Sequence, residues 1–470
     1  MKKTFIAGFI FCFFCGTISF NASAQEYNYD ISKYYTPDIV RNQLDLSFST
    51  NNSFNSLSTK VDTLTTTYST HLGGTITPNF ITYTNTRQRV SQLQLNGTFS
   101  GSYDANGVLN QGNSNSNSQT SNYLNLSYTS RFYNSSNNYL LVGITSNIQV
   151  NLNNSALVIN SISSKNYNNN YKLNINPTIG VGIGRIESVE DARQAIYILD
   201  DLSKRGVLTR HLQNAEIFQL SQLISRVKNK RFLDARIHLM DEISAVDSFF
   251  VSNKLLDKSG APYFTSLYDN WQYGALYSRK SGQSFEISFS PSLNWYYTKN
   301  NSIDSLTRNM TNQNGLNGGL ALTYTYEKPV KLNWQHSVIA TLNGSYNTNN
   351  YKGQYFAPIY NGTTRSTVGM VNLLGNYTLG YYPSTRTYFT ASISQNFQLD
   401  NFKDLSKNTI NFYKLFNSNS NIQFNAYYYL SPQLRLSLGA NLTNNYINYY
   451  STSYNNLYGG FNGGISYSFF

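Results

Sequence analysis

Cysteine is scarce in this chain of 470 residues, and so are charged residues. The two cysteines are Cys12 and Cys15, both near the N-terminus. Charged residues make up 12% of the sequence, about half the share in a typical soluble domain. The chain beyond residue 15 therefore has no disulfide framework, no thiol nucleophile and no thiolate metal site. Its low charge also indicates that something other than charged side chains faces the surroundings.

Long apolar runs are rare once the first residues are set aside. Two lysines at positions 2 and 3 precede an apolar run over about residues 5–20, and Ala22-Ser23-Ala24 follows. This is the pattern of a secretory signal peptide, and we expect residues 1–24 to form one. Beyond it, no segment approaches the roughly 20 apolar residues that a membrane-spanning helix requires.

What the chain does have is alternation between apolar and small polar side chains. A β-strand has a period of two, so one face of such a strand meets apolar surroundings and the other meets water. Over residues 171–183 one parity is occupied by Tyr171, Leu173, Ile175, Ile179, Val181 and Ile183. We predict fourteen strands of this kind, at about 42–51, 70–85, 90–104, 121–134, 139–151, 170–185, 284–300, 315–327, 332–349, 366–382, 385–399, 418–430, 433–449 and 460–470.

The last residues continue the alternation and end on aromatic side chains. Ile465, Tyr467 and Phe469 share one face of the final predicted strand, and Phe470 follows. This resembles the C-terminal strand of bacterial outer-membrane β-barrels, which closes the sheet against the first strand and is read by the barrel-insertion machinery. The resemblance implies an all-β transmembrane antiparallel up-and-down barrel of about fourteen strands in the bacterial outer membrane.

The predicted connections alternate in length, which favours a barrel over a soluble β-sandwich or β-helix. Those after odd-numbered strands are long and rich in Asn, Ser, Thr and Gly, as at 52–69 and 105–120, whereas most after even-numbered strands are tight, as at 86–89 and 135–138. Outer-membrane barrels have short periplasmic turns and longer external loops. This register places both termini in the periplasm, with residues 25–41 as a short periplasmic segment, strands one to six in 42–185, and strands seven to fourteen in 284–470.

One even-numbered connection, residues 186–283, is long and has a different composition. Residues 185–258 contain 23 charged side chains, 11 of them acidic. Ser188-Val-Glu-Asp191 resembles a capping box, and Gly206 is a helix stop. Apolar residues then recur at helical spacing in about three amphipathic helices, the third carrying Phe232, Ala235, Leu239, Ile243 and Val246. We predict a periplasmic helical insertion, in which 262–282 is either a return segment or an extra strand that would bring the total to sixteen.

We find no residues arranged for catalysis. The four histidines, His71, His211, His238 and His336, have neither the serine or carboxylate neighbours of a barrel hydrolase nor metal-ligand spacing. We therefore expect no enzyme activity, no metal and no cofactor. The formal net charge is +12, but the sequence contains no recognisable nucleic-acid-binding module, so we expect no nucleic-acid partner. Phosphate-bearing outer-membrane lipids, including lipopolysaccharide, are the expected counter-charge.

A few charged residues and a run of glycines fall on the predicted inward face. Asp45, Arg435, Glu286 and Lys172 are candidate lumen-lining residues, and Asp45 and Arg435, on strands that flank strand fourteen after closure, could pair within the barrel wall. These charges either select solutes at a constriction or fill the barrel with ion pairs. Gly180, Gly182 and Gly184 leave room for part of the insertion to dock against the wall, or else they only relieve curvature.

The sequence is compatible with two functions. The first is a channel-like barrel for small polar solutes, because a fourteen-stranded barrel has a wider lumen than one of eight strands. The second is a non-conducting membrane anchor, or an assembly or secretion component, whose helical domain binds a periplasmic protein through residues 187–258. An enzymatic barrel is a distant third.

Overall fold

The fourteen strands form one antiparallel sheet in which every strand pairs with its neighbours in sequence. The computed structural model describes residues 27, 29–60, 64–108, 112–160, 162–229, 239–256, 260–274, 278–302, 307–356, 359–406, 409–431, 433–449 and 452–467. The strands β1 to β14 are Ile39–Lys60, Leu64–Asn85, Arg89–Val108, Asn113–Tyr133, Asn138–Ile159, Ile162–Ser188, Lys280–Ser302, Thr307–Val330, Trp334–Phe356, Ile359–Tyr381, Thr387–Ser406, Thr409–Tyr429, Leu434–Tyr449 and Thr452–Tyr467. The expected strand count and up-and-down order are confirmed.

The strands are much longer than predicted, and the predicted long loops are wrong. β1 pairs with β2 from Ile39–Asn85 to Lys60–Leu64, so most of the supposed loop 52–69 is hairpin. At about 3.3 Å per residue, the 27 residues of β6 extend about 90 Å, roughly three times the hydrocarbon thickness of a bilayer. Pairing satisfies the backbone polar groups whatever the side chains are, so an Asn/Ser/Thr-rich composition did not exclude strand.

The two faces of the sheet differ as the alternation predicts. Arg131 of β4 contacts Glu286 of β7, three strands away, which identifies their face as the concave one. Ile179, Val181 and Ile183 on β6 have the opposite parity and are each more than half exposed on the convex face. On β7 the exposed apolar positions lie within residues 285–296, close to the 9–11 residues of a membrane-spanning strand. This apolar band lies next to the short-turn end of the sheet.

Closure between the first and last strands is not seen among the described residues. β14 pairs with β13 only, and no described residue of β14 pairs with β1. Ile465 and Tyr467 lie in β14 and are exposed, whereas Phe469 and Phe470 fall outside the described residues. The closing pair therefore stays a prediction.

The chain between β6 and β7 contains four described helices. They are α1 (Glu190–Lys204), α2 (Asn214–Asn229), α3 (Leu239–Ser252) and α4 (Ala261–Tyr273). α4 occupies the segment for which the sequence left an extra strand or a return segment open. Phe232 and Ala235 of the third predicted helix lie outside the described residues. No helix among the described residues is long and apolar enough to span a membrane.

The ends of α1 show one wrong prediction and one that is confirmed. Ser188 does not cap the helix: it pairs with Lys280 at the end of β6, and the cap residue Val189 has no side-chain cap bond. Ser188 is therefore held in the β6–β7 strand pair and not at the start of α1. Gly206 ends the helix with φ +64°, and the amide of Val207 donates to the carbonyl of Leu202, the pattern of a Schellman stop.

The N-terminal segment is part of the helical domain rather than a separate tail. A short 3-10 turn, Ile31–Lys33, precedes β1. Tyr27, Ile31 and Tyr34 are buried in one hydrophobic core with residues of the four helices, such as Leu199 and Leu220. Tyr34 donates a hydrogen bond to the carbonyl of Ser221 in α2. This segment therefore ties the start of β1 to the helices.

Candidate functional site

The helical domain is attached to short turns on both sides of one end of the sheet. On one side, Arg87 of the β2–β3 turn lies over the ring of Tyr35 at 3.9 Å, and that ring meets Phe218 of α2 edge-on at 4.9 Å. On the other side, Arg386 of the β10–β11 turn pairs with Asp269 of α4 at 2.6 Å. Eight of the fourteen strands separate these two turns. The helices therefore span this end of the sheet, which we call the mouth.

Arg279 holds the exit of the helical domain onto the β8–β9 turn. Its guanidinium is fully buried and donates to the carbonyls of Lys331, Leu332 and Trp334, and to the side-chain amide oxygen of Gln335. Burial, together with the nearby Arg193 guanidinium, lowers the pKa of Arg279 to about 10. The guanidinium group is thus still charged at neutral pH, and its hydrogen bonds to backbone carbonyls stabilise that charge.

A second buried arginine connects α1 to the same region. Arg193 donates to the carbonyl of Gly274, just after α4, at 3.0 Å. Its guanidinium carbon lies 5.6 Å from the ring centroid of Tyr382 in the β10–β11 turn, and that of Arg279 lies 5.1 Å from the same ring. The ring of Tyr382 therefore lies within cation–π distance of both guanidinium groups and stabilises their charges.

Two ion-pair networks cross the concave face near the mouth. In the first, Glu187 at the end of β6 pairs with Arg87 at 3.0 Å and with Arg185 at 2.8 Å. Arg185 also donates to Asn85 at the end of β2, which lies four strands from β6 in the sheet. This network therefore joins β6 to the end of β2 and the β2–β3 turn, beside the helices.

In the second network, Glu286 accepts from Arg131 and Tyr139. The carboxylate lies 3.0 Å from the Arg131 guanidinium, and the Tyr139 hydroxyl donates to it at 3.1 Å. The glycines of β6 make this possible, because a side chain at Gly182 would overlap the Tyr139 ring and one at Gly180 would lie 2.6 Å from the carbonyl oxygen of Ile287. The atoms nearest to the Gly180, Gly182 and Gly184 column thus belong to Tyr139 and β7, and docking of the helical insertion there stays a prediction.

The other predicted lumen residues are placed apart from one another. Asp45 accepts from Gln43 at 2.9 Å and from Asn79 at 3.4 Å, whereas Arg435 lies 5.3 Å from the ring centroid of Tyr427. No described contact joins Asp45 to Arg435, and because β14 is not seen paired with β1 their pairing stays a prediction. Lys172 is exposed on β6 and forms no ion pair with a described residue.

Six asparagines form one row across the concave face, which the sequence alone did not reveal. Asn79, Asn96, Asn125, Asn147, Asn174 and Asn294 are directly opposite one another on β2 to β7. Asn96 accepts from Gln94 and Asn79 donates to Asp45. The remaining four amides have no side-chain hydrogen bond to any described residue and are partly exposed. Parity could have placed each asparagine on this face, but only the strand register aligns them.

The histidines are dispersed through the described residues. His71 contacts Asp104 at 2.6 Å on the concave face, and His336 contacts the Tyr377 hydroxyl at 2.9 Å on the opposite face. His211 lies 5.2 Å from the Tyr27 ring, and His238 falls outside the described residues. Within the described part of the chain, no three His, Cys, Asp or Glu side chains are grouped to hold a metal ion.

No protein-family model and no curated protein matches this sequence. Among solved structures, the chain is similar to the translocator domain of autotransporter NalP from Neisseria meningitidis, with 10% identity, 82% of this chain and 90% of that chain covered, and a TM-score of 0.25. It is also similar to a bacterial polysaccharide outer membrane secretin, with 10% identity, 84% and 91% covered and a TM-score of 0.17. A third is Pseudomonas aeruginosa OccK7 (OpdD), with 9% identity, 91% and 98% covered and a TM-score of 0.18.

These TM-scores are too low to carry an argument, and the fold class rests on the strands themselves. Fourteen consecutive antiparallel strands run up and down in one sheet. The convex face is apolar over a membrane-length band, and the concave face is polar. With at least the four described helices inserted between β6 and β7, the chain has the architecture of an outer-membrane β-barrel protein.

Proposed function

We propose that this protein is an outer-membrane channel for small, uncharged polar solutes whose periplasmic mouth is covered by the helical domain. The asparagine row carries the proposal. Each side-chain amide offers two donors and an acceptor, and four neighbouring amides are not used by the described residues. Such a surface replaces the water around a hydroxylated solute without attracting either sign of ion. We propose no enzymatic role.

The proposed orientation follows from the two unequal ends of the strands. The apolar band borders the short turns and the helices, whereas the opposite halves of the strands are polar and extend far beyond a bilayer. Outer-membrane barrels keep short turns in the periplasm and extend outward. The helical domain and both termini are then periplasmic, and the polar hairpins project from the cell.

Solute selection is tested by current block in planar bilayers. We expect glucose to reduce the ion current through the full chain, and the triple variant Asn125→Ala, Asn147→Ala, Asn174→Ala to weaken that block about five-fold or more, since one hydrogen bond is worth about 1 kcal/mol. Ion conductance itself should be unchanged or higher, because alanine is smaller. A matched control replaces three other concave-face asparagines, Asn317, Asn343 and Asn372, with alanine. Equal block by all three proteins would contradict the proposal.

Covering of the mouth is tested separately by a reversible tether. Asp269→Cys and Arg386→Cys place thiols where the native side chains touch at 2.6 Å, and replacing Cys12 and Cys15 leaves no other thiol. A bifunctional methanethiosulfonate reagent should lower the conductance, and dithiothreitol should restore it. The single variant Asp269→Cys with the same reagent is the control. A tether that leaves the current unchanged would show that the helices do not obstruct the pathway.

One observation favours the alternative function, a membrane anchor whose helical domain binds a periplasmic protein. Four apolar side chains of the helical domain are strongly exposed: Met240 at 74%, Val251 at 58%, Tyr268 at 49% and Phe264 at 46%. They lie on α3 and α4, and exposed apolar groups of this kind favour a protein partner. No current from any variant, together with loss of a specific periplasmic partner in Met240→Ser/Phe264→Ser, would select the anchor over the channel.

A further inference from the structure

An apolar groove crosses the convex face of the sheet, from the middle of the apolar band on β7 toward its edge on β12. It has a volume of about 1330 Å³ and is lined by residues of β7 to β13. One of its two cross-strand rows contains Phe289, Leu320, Gly344, Val371, Leu399, Phe416 and Asn448, each directly opposite the next. The large members are exposed, for example Leu320 at 53% and Leu399 at 55%.

The second row contains two glycines and ends on a cation. Gly318, Tyr346, Gly369, Asn401 and Lys414 are directly opposite one another on β8 to β12. A side chain at Gly369, or at Gly344 in the first row, would meet nothing within 4 Å. The groove floor is therefore bare backbone at Gly344 and Gly369, which we call the glycine floor. The second row as a whole crosses four inter-strand spacings, about 19 Å, which is the length of an extended acyl chain.

The cations beside the groove are not neutralised within the described residues. Lys414 is exposed at the end of the second row and forms no ion pair with a described residue. Arg365 lies four residues beyond Gly369 on the same face of β10, is exposed, and also forms no ion pair with a described residue. An ammonium and a guanidinium just beyond an apolar surface complement a phosphate whose acyl chains lie in that surface.

We propose that this groove binds the phosphorylated glycolipid of the outer leaflet, with one acyl chain along the glycine floor and phosphate at Lys414 and Arg365. The Lys414 end of the groove lies at the edge of the apolar band that is remote from the helices, so the choice of the outer leaflet rests on the orientation proposed above. Binding to the groove itself does not depend on whether the barrel conducts. An ordinary lipid-facing wall would attract neither the phosphate nor a fixed chain.

The test measures lipid binding to the full-length protein in detergent by native mass spectrometry. The probes are diphosphorylated lipid A and, for comparison, phosphatidylcholine. We expect lipid A to bind more tightly than phosphatidylcholine. Lys414→Ser/Arg365→Ser should weaken lipid A binding about five-fold for each cation, because a basic residue near an anionic lipid surface contributes about that factor.

A second pair of variants tests the groove by filling it. Gly344→Leu/Gly369→Leu should abolish the preference for lipid A, and Gly375→Leu is the matched control: it lies on the same face of β10, outside the groove, and also has nothing within 4 Å of its added carbon. Heat-modifiable migration in gels confirms that each variant folds. Unchanged lipid A binding in the filled variant overturns the proposal. A change in oligomeric state without a change in lipid binding also overturns it, in favour of contact with a second copy.

Discussion

Replacing Arg279 with methionine should release the helical domain from the mouth far more often than replacing Arg386 with methionine. Both arginines join the helices to short turns of the sheet, but their environments differ. Arg279 is fully buried and donates to four acceptors. Arg386 and its partner Asp269 keep 37% and 46% of their side-chain surface exposed. The comparison therefore separates buried from exposed attachment.

The magnitude follows from what each substitution leaves behind. Breaking a buried charged network by removing one member costs about 3–5 kcal/mol. Methionine also relieves the unfavourable burial that lowers the pKa of Arg279 to about 10, which offsets part of that cost. We expect a net loss of about 2–3 kcal/mol, or about 30- to 160-fold in the open population. The Arg386 ion pair and its contact with the Tyr273 ring at 4.1 Å together contribute about 1 kcal/mol, or about five-fold.

Limited proteolysis of the full-length protein in detergent measures these populations. Thermolysin suits the comparison because it does not cleave at arginine. Neither substitution therefore removes a cleavage site, whereas each would remove one for trypsin. When opening and closing are fast relative to cleavage, the rate of loss of the helical domain is proportional to the open population. If Arg279→Met is cleaved at the wild-type rate, or more slowly than Arg386→Met, the buried arginine does not hold the domain and the reasoning fails.

Three further substitutions test other parts of the structure. Gly182→Ala should lower the thermal stability of the barrel, read as the temperature at which heat-modifiable migration is lost, because the methyl group overlaps the Tyr139 ring; an unchanged temperature would show that the ring lies elsewhere. Leu199→Ala should cost the helical domain about 2–5 kcal/mol, since Leu199 is fully buried, and its helical circular dichroism should melt earlier. The Arg210 hydrogen bond lowers the pKa of Glu216 to about 2, so its contribution to stability is complete above about pH 4.5 and is lost as the pH falls toward 2. Glu216→Gln should therefore show a smaller fall in melting temperature between pH 6 and pH 2.5, and an identical fall would exclude this carboxylate as its source.

The number and order of the strands were predictable because alternation reports directly on the two faces of a membrane sheet. The lengths of the strands were not. Residues such as Asn52 and Ser53 have the composition of a loop, yet they pair with Leu72 and His71 in the long β1–β2 hairpin. Outside the bilayer the convex face is wet, so the alternation that marks a strand disappears while the backbone pairing continues. Sequence pattern therefore located the part of each strand that lies in lipid and missed the rest.

The candidate site was predictable only residue by residue. Parity placed Glu286 on the concave face, but nothing in the sequence connects it to Arg131, which lies three strands away. Arg279 carried no signal at all, because three of its four acceptors are backbone carbonyls. The asparagine row depends on the relative register of six strands, and a shift of two residues in one hairpin would break it without moving any side chain to the other face.

Glycine shows most clearly why register decides function in this sheet. On β6, Gly182 lies on the concave face. The Tyr139 ring occupies the space that a side chain would take there, and its hydroxyl donates to Glu286. On β10, Gly369 lies on the convex face, where nothing occupies that space and a groove results. Glycine thus makes room for a neighbouring side chain at one position and leaves an open groove at the other. Composition and parity do not distinguish the two cases, because the difference lies in the residues opposite on neighbouring strands. Filling the open position and the occupied one with the same side chain should therefore have opposite consequences, for lipid binding at Gly369 and for barrel stability at Gly182.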